Sequence, residues 1–128
     1  MYLFLDNSAE EELFFYVIRP GEKIEKYLWR GAKARRGPLF CFDELLKKKK
    51  FRMDEIEGIG VRVGVGRFTA TRIATTFVNS LGYFLKKPVI GLVDFSTEEF
   101  DRRIRKAKPG IYVSAKYSAM ANIGRPKK

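Results

Sequence analysis

Apolar residues are concentrated in short runs whose composition is typical of β-strands. Residues 12–19 (ELFFYVIR) and 22–30 (EKIEKYLWR) flank the turn signal Pro20-Gly21, so they predict a hairpin. In residues 58–65 (GIGVRVGV), branched apolar residues alternate with glycine or arginine, which predicts a strand with small residues on one face. The predicted strands are 2–6, 12–19, 22–30, 58–65 and 88–93, with a last short one over 111–113.

Three segments have helical patterns instead. Pro38 suits the first turn of a helix over 38–50, and the lysines at its end suit the helix dipole. The longest pattern covers 68–86, and Lys87-Pro88 ends it. Ser96, with Glu99 three residues later, predicts an N-cap for a short basic helix over 97–107. The order βββαβαβα predicts an α/β fold with helices on one mixed sheet.

The helix over 68–86 carries two apolar stripes. One contains Ile73, Phe77, Leu81 and Phe84, and the other contains Ala70, Ala74, Val78 and Leu85. A helix that lies on a sheet needs only one apolar stripe. The second stripe therefore predicts burial on two sides, against the sheet and against either the 38–50 helix or another protein.

The composition narrows the functional classes. The chain has 128 residues, the size of one domain, and 45% of them are hydrophobic, which argues against disorder. No apolar run is long enough to span a bilayer, and the start lacks the basic region of a secretory signal. The single Cys41 cannot form an internal disulfide, so we expect a cytoplasmic location. Residues 31–37 are expected to be a basic connector, and 116–128 a basic tail.

The chain contains no histidine, which excludes Ser-His-Asp and Cys-His hydrolases. One cysteine is not a zinc site, and we predict no metal, no cofactor and no catalytic residue. The residues leave one enzymatic alternative, a small nucleotide-dependent phosphotransferase or ATPase. It would use Asp6 at the end of the first strand, Asp94 and the glycine-containing turn at 64–69. The other interpretation of Asp6 is a turn cap.

The formal net charge of +11 favours an acidic partner, and nucleic acid is the first class to consider. Two basic clusters have two interpretations: together they line one surface that contacts a phosphate backbone, or each is a solvated face. We see no exposed aromatic platform for base stacking beside them. The candidate nucleic-acid contacts are Lys47, Lys48, Lys49, Lys50, Arg102, Arg103 and Arg105. A tRNA-binding module is therefore a second alternative.

Three segments together resemble the TsaB (YeaZ-like) family, which takes part in tRNA modification. LFLDNS at 3–8 resembles the family's Leu-x-Leu-Asp-Thr-Ser opening. GVGRFTATRIATTFVNSLGYFLKKPVIGLVDF at 64–95 resembles its Gly-Pro-Gly-Ser-Phe-Thr-Gly-x-Arg stretch, helix and following strand, and PGIY at 109–112 its C-terminal motif. The departures are Asn7 for Thr, Val65 for Pro, Arg67 for Ser, Ala70 for Gly and Ser114 for Arg.

The resemblance implies a single lobe of the actin/Hsp70-like ATPase (ribonuclease H-like) fold at 1–115, with no room for a second lobe. It implies a non-catalytic scaffold that dimerises with a TsaD-like catalytic subunit and supports formation of threonylcarbamoyladenosine on tRNA. A TsaE-like ATPase and tRNA are candidate further partners, and self-association through the same helical face is an alternative.

The resemblance also places the pairing helices at 38–50 and 68–86. The expected interface residues are Leu39, Phe42, Leu46, Phe77, Val78, Leu81 and Phe84. Leu81→Asp is accordingly expected to abolish pairing while the domain stays folded.

Overall fold

The computed structural model describes residues 1–64 and 68–114 as a five-stranded mixed sheet with helices on both faces. The strand order is β3-β2-β1-β4-β5. β1 pairs antiparallel to β2 and parallel to β4, and β4 pairs parallel to β5. The strands are β1 (Tyr2–Asp6), β2 (Glu12–Ile18), β3 (Glu25–Arg30), β4 (Gly58–Arg62) and β5 (Val89–Leu92).

The helices follow the predicted order with one addition. The basic connector at 31–37 contains a short helix, α1, because Ala34 packs into the core there and gives the segment a fixed place. A 3₁₀ turn, Met53–Glu55, precedes β4. The helices are α1 (Ala32–Arg35), α2 (Pro38–Lys47), α3 (Phe68–Leu85) and α4 (Thr97–Lys106). No helix in residues 1–64 or 68–114 is long and apolar enough to cross a membrane.

The predicted strand over 111–113 is wrong. These residues lie beside β5 without forming a strand, because the Asn79 side chain on α3 forms hydrogen bonds with both the backbone N–H and the backbone carbonyl of Val113. Asn79 Nδ2 donates to the Val113 carbonyl at 2.8 Å, and the Val113 N–H donates to Asn79 Oδ1 at 3.0 Å. The turn at 65–67 and the basic tail at 116–128 lie outside the described residues.

The sheet separates two apolar clusters. In β2, the alternation places Leu13, Phe15 and Val17 in the larger cluster, where α2 and α3 cover the sheet. Phe4 of β1 points to the opposite face, where it meets Phe100 of α4 with ring centroids 6.1 Å apart. The helices therefore form two outer layers, with α2 and α3 on one face and α4 on the other.

Gly58 and Gly60 form the small-residue face of β4 that the alternating pattern predicts, with α4 packed against Gly58 and the Phe4 ring against Gly60. A Cβ atom added at Gly58 would lie 2.9 Å from Ile104 of α4, and one at Gly60 would lie 2.8 Å from Phe4. Neither distance is compatible with a side chain in the present packing. The small-residue face of β4 is therefore a packing feature.

Gly82 makes an equally close contact, and we expect Gly82→Ala to lower the free energy of unfolding. An added Cβ would lie 2.4 Å from Val89 Cγ1 and 3.1 Å from the Lys87 carbonyl oxygen. Such overpacking costs about 1–3 kcal/mol, more than the roughly 0.5–1 kcal/mol that alanine gains over glycine in a helix. Urea unfolding measures the change. Ser80→Ala, at an exposed position of α3, is the control, and a more stable Gly82→Ala protein would contradict the packing.

Candidate protein–protein interface on helix α3

One side of α3 is buried on the sheet. Ala70, Ala74, Val78 and Leu81 are between 0% and 8% exposed. At 3.6 residues per turn these four positions fall within an arc of about 80°. The stripe that begins at Ala70 therefore faces the sheet, as one of the two predicted stripes should.

The opposite side of α3 is open, and it carries large apolar groups. Ile73 is 50% exposed, and Tyr83 and Phe84 are each 73% exposed. Thr76 and Ser80, also exposed, lie between them. These positions span about 100° of the helix. We call these five residues the α3 face. The 18-residue helix contains one charged residue, Arg72, which is exposed and borders the α3 face about 20° from Tyr83 around the helix axis.

Three of the seven expected interface residues belong to the core instead. Phe42 is 3% exposed, Val78 0% and Leu81 8%. Leu81 lies between Ala70 and Ala74 around the helix axis, so it points at the sheet and not along the Ile73 stripe. Phe42 of α2 is enclosed because its ring packs against Phe77 of α3, with centroids 5.4 Å apart. These three residues are removed from the candidate docking surface.

The other expected interface residues differ in exposure. Leu39 is 68% exposed and Phe84 is 73% exposed, so both stay candidates. Leu46 and Phe77 are partly buried against the core. Besides the sheet, α3 thus packs against α2 of the same chain. This was one of the two alternatives that the sequence left open for the second apolar stripe. Tyr83 was not predicted, although an aromatic side chain on a helix with a single charged residue was a usable signal.

A separate cluster of polar side chains lies where β1, β4 and β5 end. Arg62 at the end of β4 pairs with Asp6 at 3.2 Å and with Asp94 at 3.0 Å, and its Nε donates to the Val93 carbonyl at 2.9 Å. Ser8 donates to Asp6 Oδ1 from its backbone N–H at 2.9 Å and from its hydroxyl at 2.6 Å. The sequence analysis named both carboxylates but did not identify Arg62, whose role depends on the sheet order.

This cluster has the chemistry of a structural ion-pair network. The guanidinium of Arg62 contacts both carboxylates, and the Asp6 oxygens are further used in capping the turn at Ser8. The turn-cap interpretation of Asp6 is therefore confirmed. Among residues 1–64 and 68–114, no three or more Asp, Glu, Cys or His side chains are grouped as metal ligands would be.

The two basic clusters do not form one surface. Lys47 ends α2, and Lys48, Lys49 and Lys50 follow it, so this cluster is attached to the α2–α3 side of the sheet. α4, with the basic residues at 102–106, covers the other side. Several of the charges are also paired locally. Lys47 lies 3.0 Å from Asp43, and Arg105 lies 2.9 Å from Asp101, a hydrogen-bonded contact that raises the pKa of Arg105. Of the two alternatives for the basic clusters, the one that places them on a single surface is not supported.

Comparison with known proteins identifies the fold. No protein-family model matches the chain, and no curated protein matches its sequence. Among solved structures, YeaZ from Pseudomonas aeruginosa matches with a TM-score of 0.61 and 27% identity, over 73% of this chain and 42% of that chain. An uncharacterized protein with similarity to peptidase YEAZ from Pseudomonas aeruginosa matches with a TM-score of 0.61 and 25% identity, over 82% and 48%.

The chain thus spans less than half the length of either solved structure. The matches confirm the predicted α/β fold of the actin/Hsp70-like class, which has the form of a five-stranded mixed sheet with helices here. Together with the motifs at 3–8 and 64–95, they confirm the resemblance to the TsaB family. The chain is a structural relative of the YeaZ proteins.

Proposed function

We propose that this chain has a TsaB-like role in tRNA modification, as a non-catalytic subunit that pairs with a TsaD-like catalytic subunit. In this role it supports formation of threonylcarbamoyladenosine on tRNA. The observation that carries the proposal is the exposed apolar surface on α3. The similarity to YeaZ supports the role at the level of the family.

The α3 face has the composition of a protein interface. Aromatic side chains are enriched as anchors at interfaces, and two of them, Tyr83 and Phe84, are mostly exposed here. Burying one side chain of this size from water contributes about 1.5–3 kcal/mol. Ile73 and the short Thr76 and Ser80 side chains extend the surface along α3 without a charge that would need a partner. An apolar helix of another subunit is the expected occupant.

The polar cluster at the strand ends supports a non-catalytic role. A phosphotransferase of this fold class would need free carboxylates there to hold a metal-bound water. Arg62 instead holds Asp6 and Asp94 at hydrogen-bonding distance. Both carboxylates are thereby paired with a cation of the chain itself.

The test is co-purification and calorimetry with the TsaD-like protein of the same genome. We expect a stoichiometric complex, and we expect Ile73→Asp and Phe84→Asp each to weaken it by about 30-fold or more. The estimate follows because loss of an interface hot spot costs roughly 2 kcal/mol or more. Leu28→Asp is the control, since Leu28 is 38% exposed on β3, away from α3.

Two results would overturn the pairing proposal. One is a chain that stays monomeric beside the TsaD-like protein at micromolar concentration. The other is a complex that both α3 variants leave unchanged. Sizing of the chain alone tests self-association through the same surface, because Phe84→Asp would convert such a dimer to a monomer.

A further inference from the structure

A cleft of about 380 Å³ opens at the free edge of β5. α4 forms one wall, residues 111–114 form the other, and β5 forms the floor. The volume lies in the range of small-ligand sites, about 300–1,000 Å³. No residue of the α3 face or of the Arg62 cluster lines the cleft.

The α4 wall is cationic. Arg102, Arg103 and Lys106 line the cleft, and one carboxylate, Glu99, is shared between the two arginines. Lys106 is exposed and forms no ion pair with any residue in 1–64 or 68–114. Three cations against one carboxylate leave this wall with a net positive charge, which favours an anionic ligand.

The floor offers backbone hydrogen-bonding groups. The Ile59 N–H donates to the Pro88 carbonyl at 3.0 Å, and the Val63 N–H donates to the Leu92 carbonyl at 2.9 Å. Backbone groups alternate in direction along a strand, so those of Val89 and Gly91 point away from β4. β5 is the outermost of the described strands, and among residues 1–64 and 68–114 no strand lies beside these groups, which face the cleft.

The second wall is aromatic and fixed in place. Tyr112 is 44% exposed and lines the cleft beside Ile111, which is 67% exposed. The expectation that no exposed aromatic side chain lies beside the basic clusters is therefore wrong for the α4 cluster. The two hydrogen bonds between Asn79 and the Val113 backbone anchor this wall to α3. The cleft is therefore preformed, which lowers the entropic cost of binding a ligand.

We propose that this cleft binds a nucleotide. Arg103 and Lys106 would contact the phosphate, because guanidinium and ammonium groups are the usual phosphate partners. The base would lie against Tyr112 and hydrogen-bond to the open β5 edge at Val89 and Gly91. A simple anion would use the cationic wall alone and leave the apolar floor and Tyr112 unused. The nucleotide is either free or one unit of an RNA strand, and both share this chemistry.

To test the proposal, the full chain is titrated separately with adenosine monophosphate, inorganic phosphate and an eight-nucleotide oligoadenylate. Binding is measured by NMR and calorimetry. We expect amide shifts at Gly91 and Tyr112. We also expect the double variant Arg103→Ala/Lys106→Ala to bind nucleotide at least about tenfold more weakly, the typical effect of losing a charged contact. Arg105→Ala is the matched control, since Arg105 belongs to the same helix but lines a different cleft.

The outcomes separate the sources of the ligand. Oligoadenylate binding that is tighter than that of the monophosphate and weakens steeply with salt assigns the site to RNA. Equal or tighter monophosphate binding assigns it to a free nucleotide. Inorganic phosphate that binds as tightly as the nucleotide, no binding at millimolar concentration, or a double variant equal to Arg105→Ala would each overturn the proposal. Ile73→Asp should leave nucleotide binding unchanged. The nucleotide-binding proposal can therefore hold even if the pairing proposal fails.

Discussion

Leu81→Asp is expected to unfold the chain instead of merely preventing its association. Leu81 is 8% exposed and belongs to the core between α3 and the sheet. Truncating a buried leucine costs about 2–5 kcal/mol, and burying a carboxylate among apolar groups adds several more. The total approaches the roughly 5–15 kcal/mol by which whole domains are stable. Loss of the thermal transition in circular dichroism, with collapse of amide dispersion in NMR, is the expected observation.

Ile73→Asp is the matched comparison for that experiment. Both changes place aspartate on α3, eight residues apart, but Ile73 is 50% exposed. A carboxylate there stays hydrated, and we expect less than about 1 kcal/mol of destabilisation, as is usual for surface changes. A folded Leu81→Asp protein that only fails to pair would show that the α3 face is rotated towards Leu81 and would contradict the burial.

Local patterns predicted the strands and helices well where the residues alone determine them. The aromatic and β-branched run at 12–19 and the Pro20-Gly21 turn correctly predicted the hairpin of β2 and β3. Ser96 was correctly predicted as the N-cap of α4, since its hydroxyl accepts a hydrogen bond from the Glu99 N–H at 3.1 Å. Each of these features depends on neighbours in sequence, which is why a pattern can show it.

The features that sequence patterns missed depend on contacts between distant residues. Val113 is held by Asn79, 34 positions away, so its apolar neighbours looked like a strand although no ladder forms. Arg62 and Asp6 are 56 positions apart and meet only because β1 and β4 are adjacent. Neither partner can be chosen from spacing along the chain.

The candidate interface was predictable in its helix but not in its exact residues. Two apolar stripes on 68–86 predicted burial on two sides, and the structure buries Ala70, Ala74 and Val78 on the sheet but leaves Ile73 and Phe84 exposed. The predicted stripes grouped Leu81 with Ile73. The helical repeat instead places Leu81 between Ala70 and Ala74 around the axis. The packing of Phe42 against Phe77 then showed that α2 covers part of α3 within the chain. What is left for a partner is the narrower α3 face.

Cys41 gives a direct test of whether α2 is part of this core. The thiol is fully buried, its Sγ lies 4.0 Å from the Lys33 carbonyl oxygen, and burial raises its pKa to about 12, with a smaller contribution from the nearby Glu44. The thiolate is the reactive form, so its fraction at neutral pH falls by about a thousandfold. We expect iodoacetamide to modify native Cys41 at least about a thousandfold more slowly than the urea-unfolded chain, as measured by mass spectrometry.

The labelling rate also decides which role α2 can have in pairing. Because the buried thiolate is both rare and inaccessible, modification proceeds through opening of α2, and the slowing reports the free energy of that opening. The burial of Phe42 and Leu45 indicates that α2 belongs to the core of the domain. In that case, adding the TsaD-like protein leaves the rate of Cys41 modification unchanged or lowers it. Rapid modification of the isolated chain, suppressed by the partner, would mean that α2 is loosely held and docks with the interface. In that case Phe42 would return to the candidate surface.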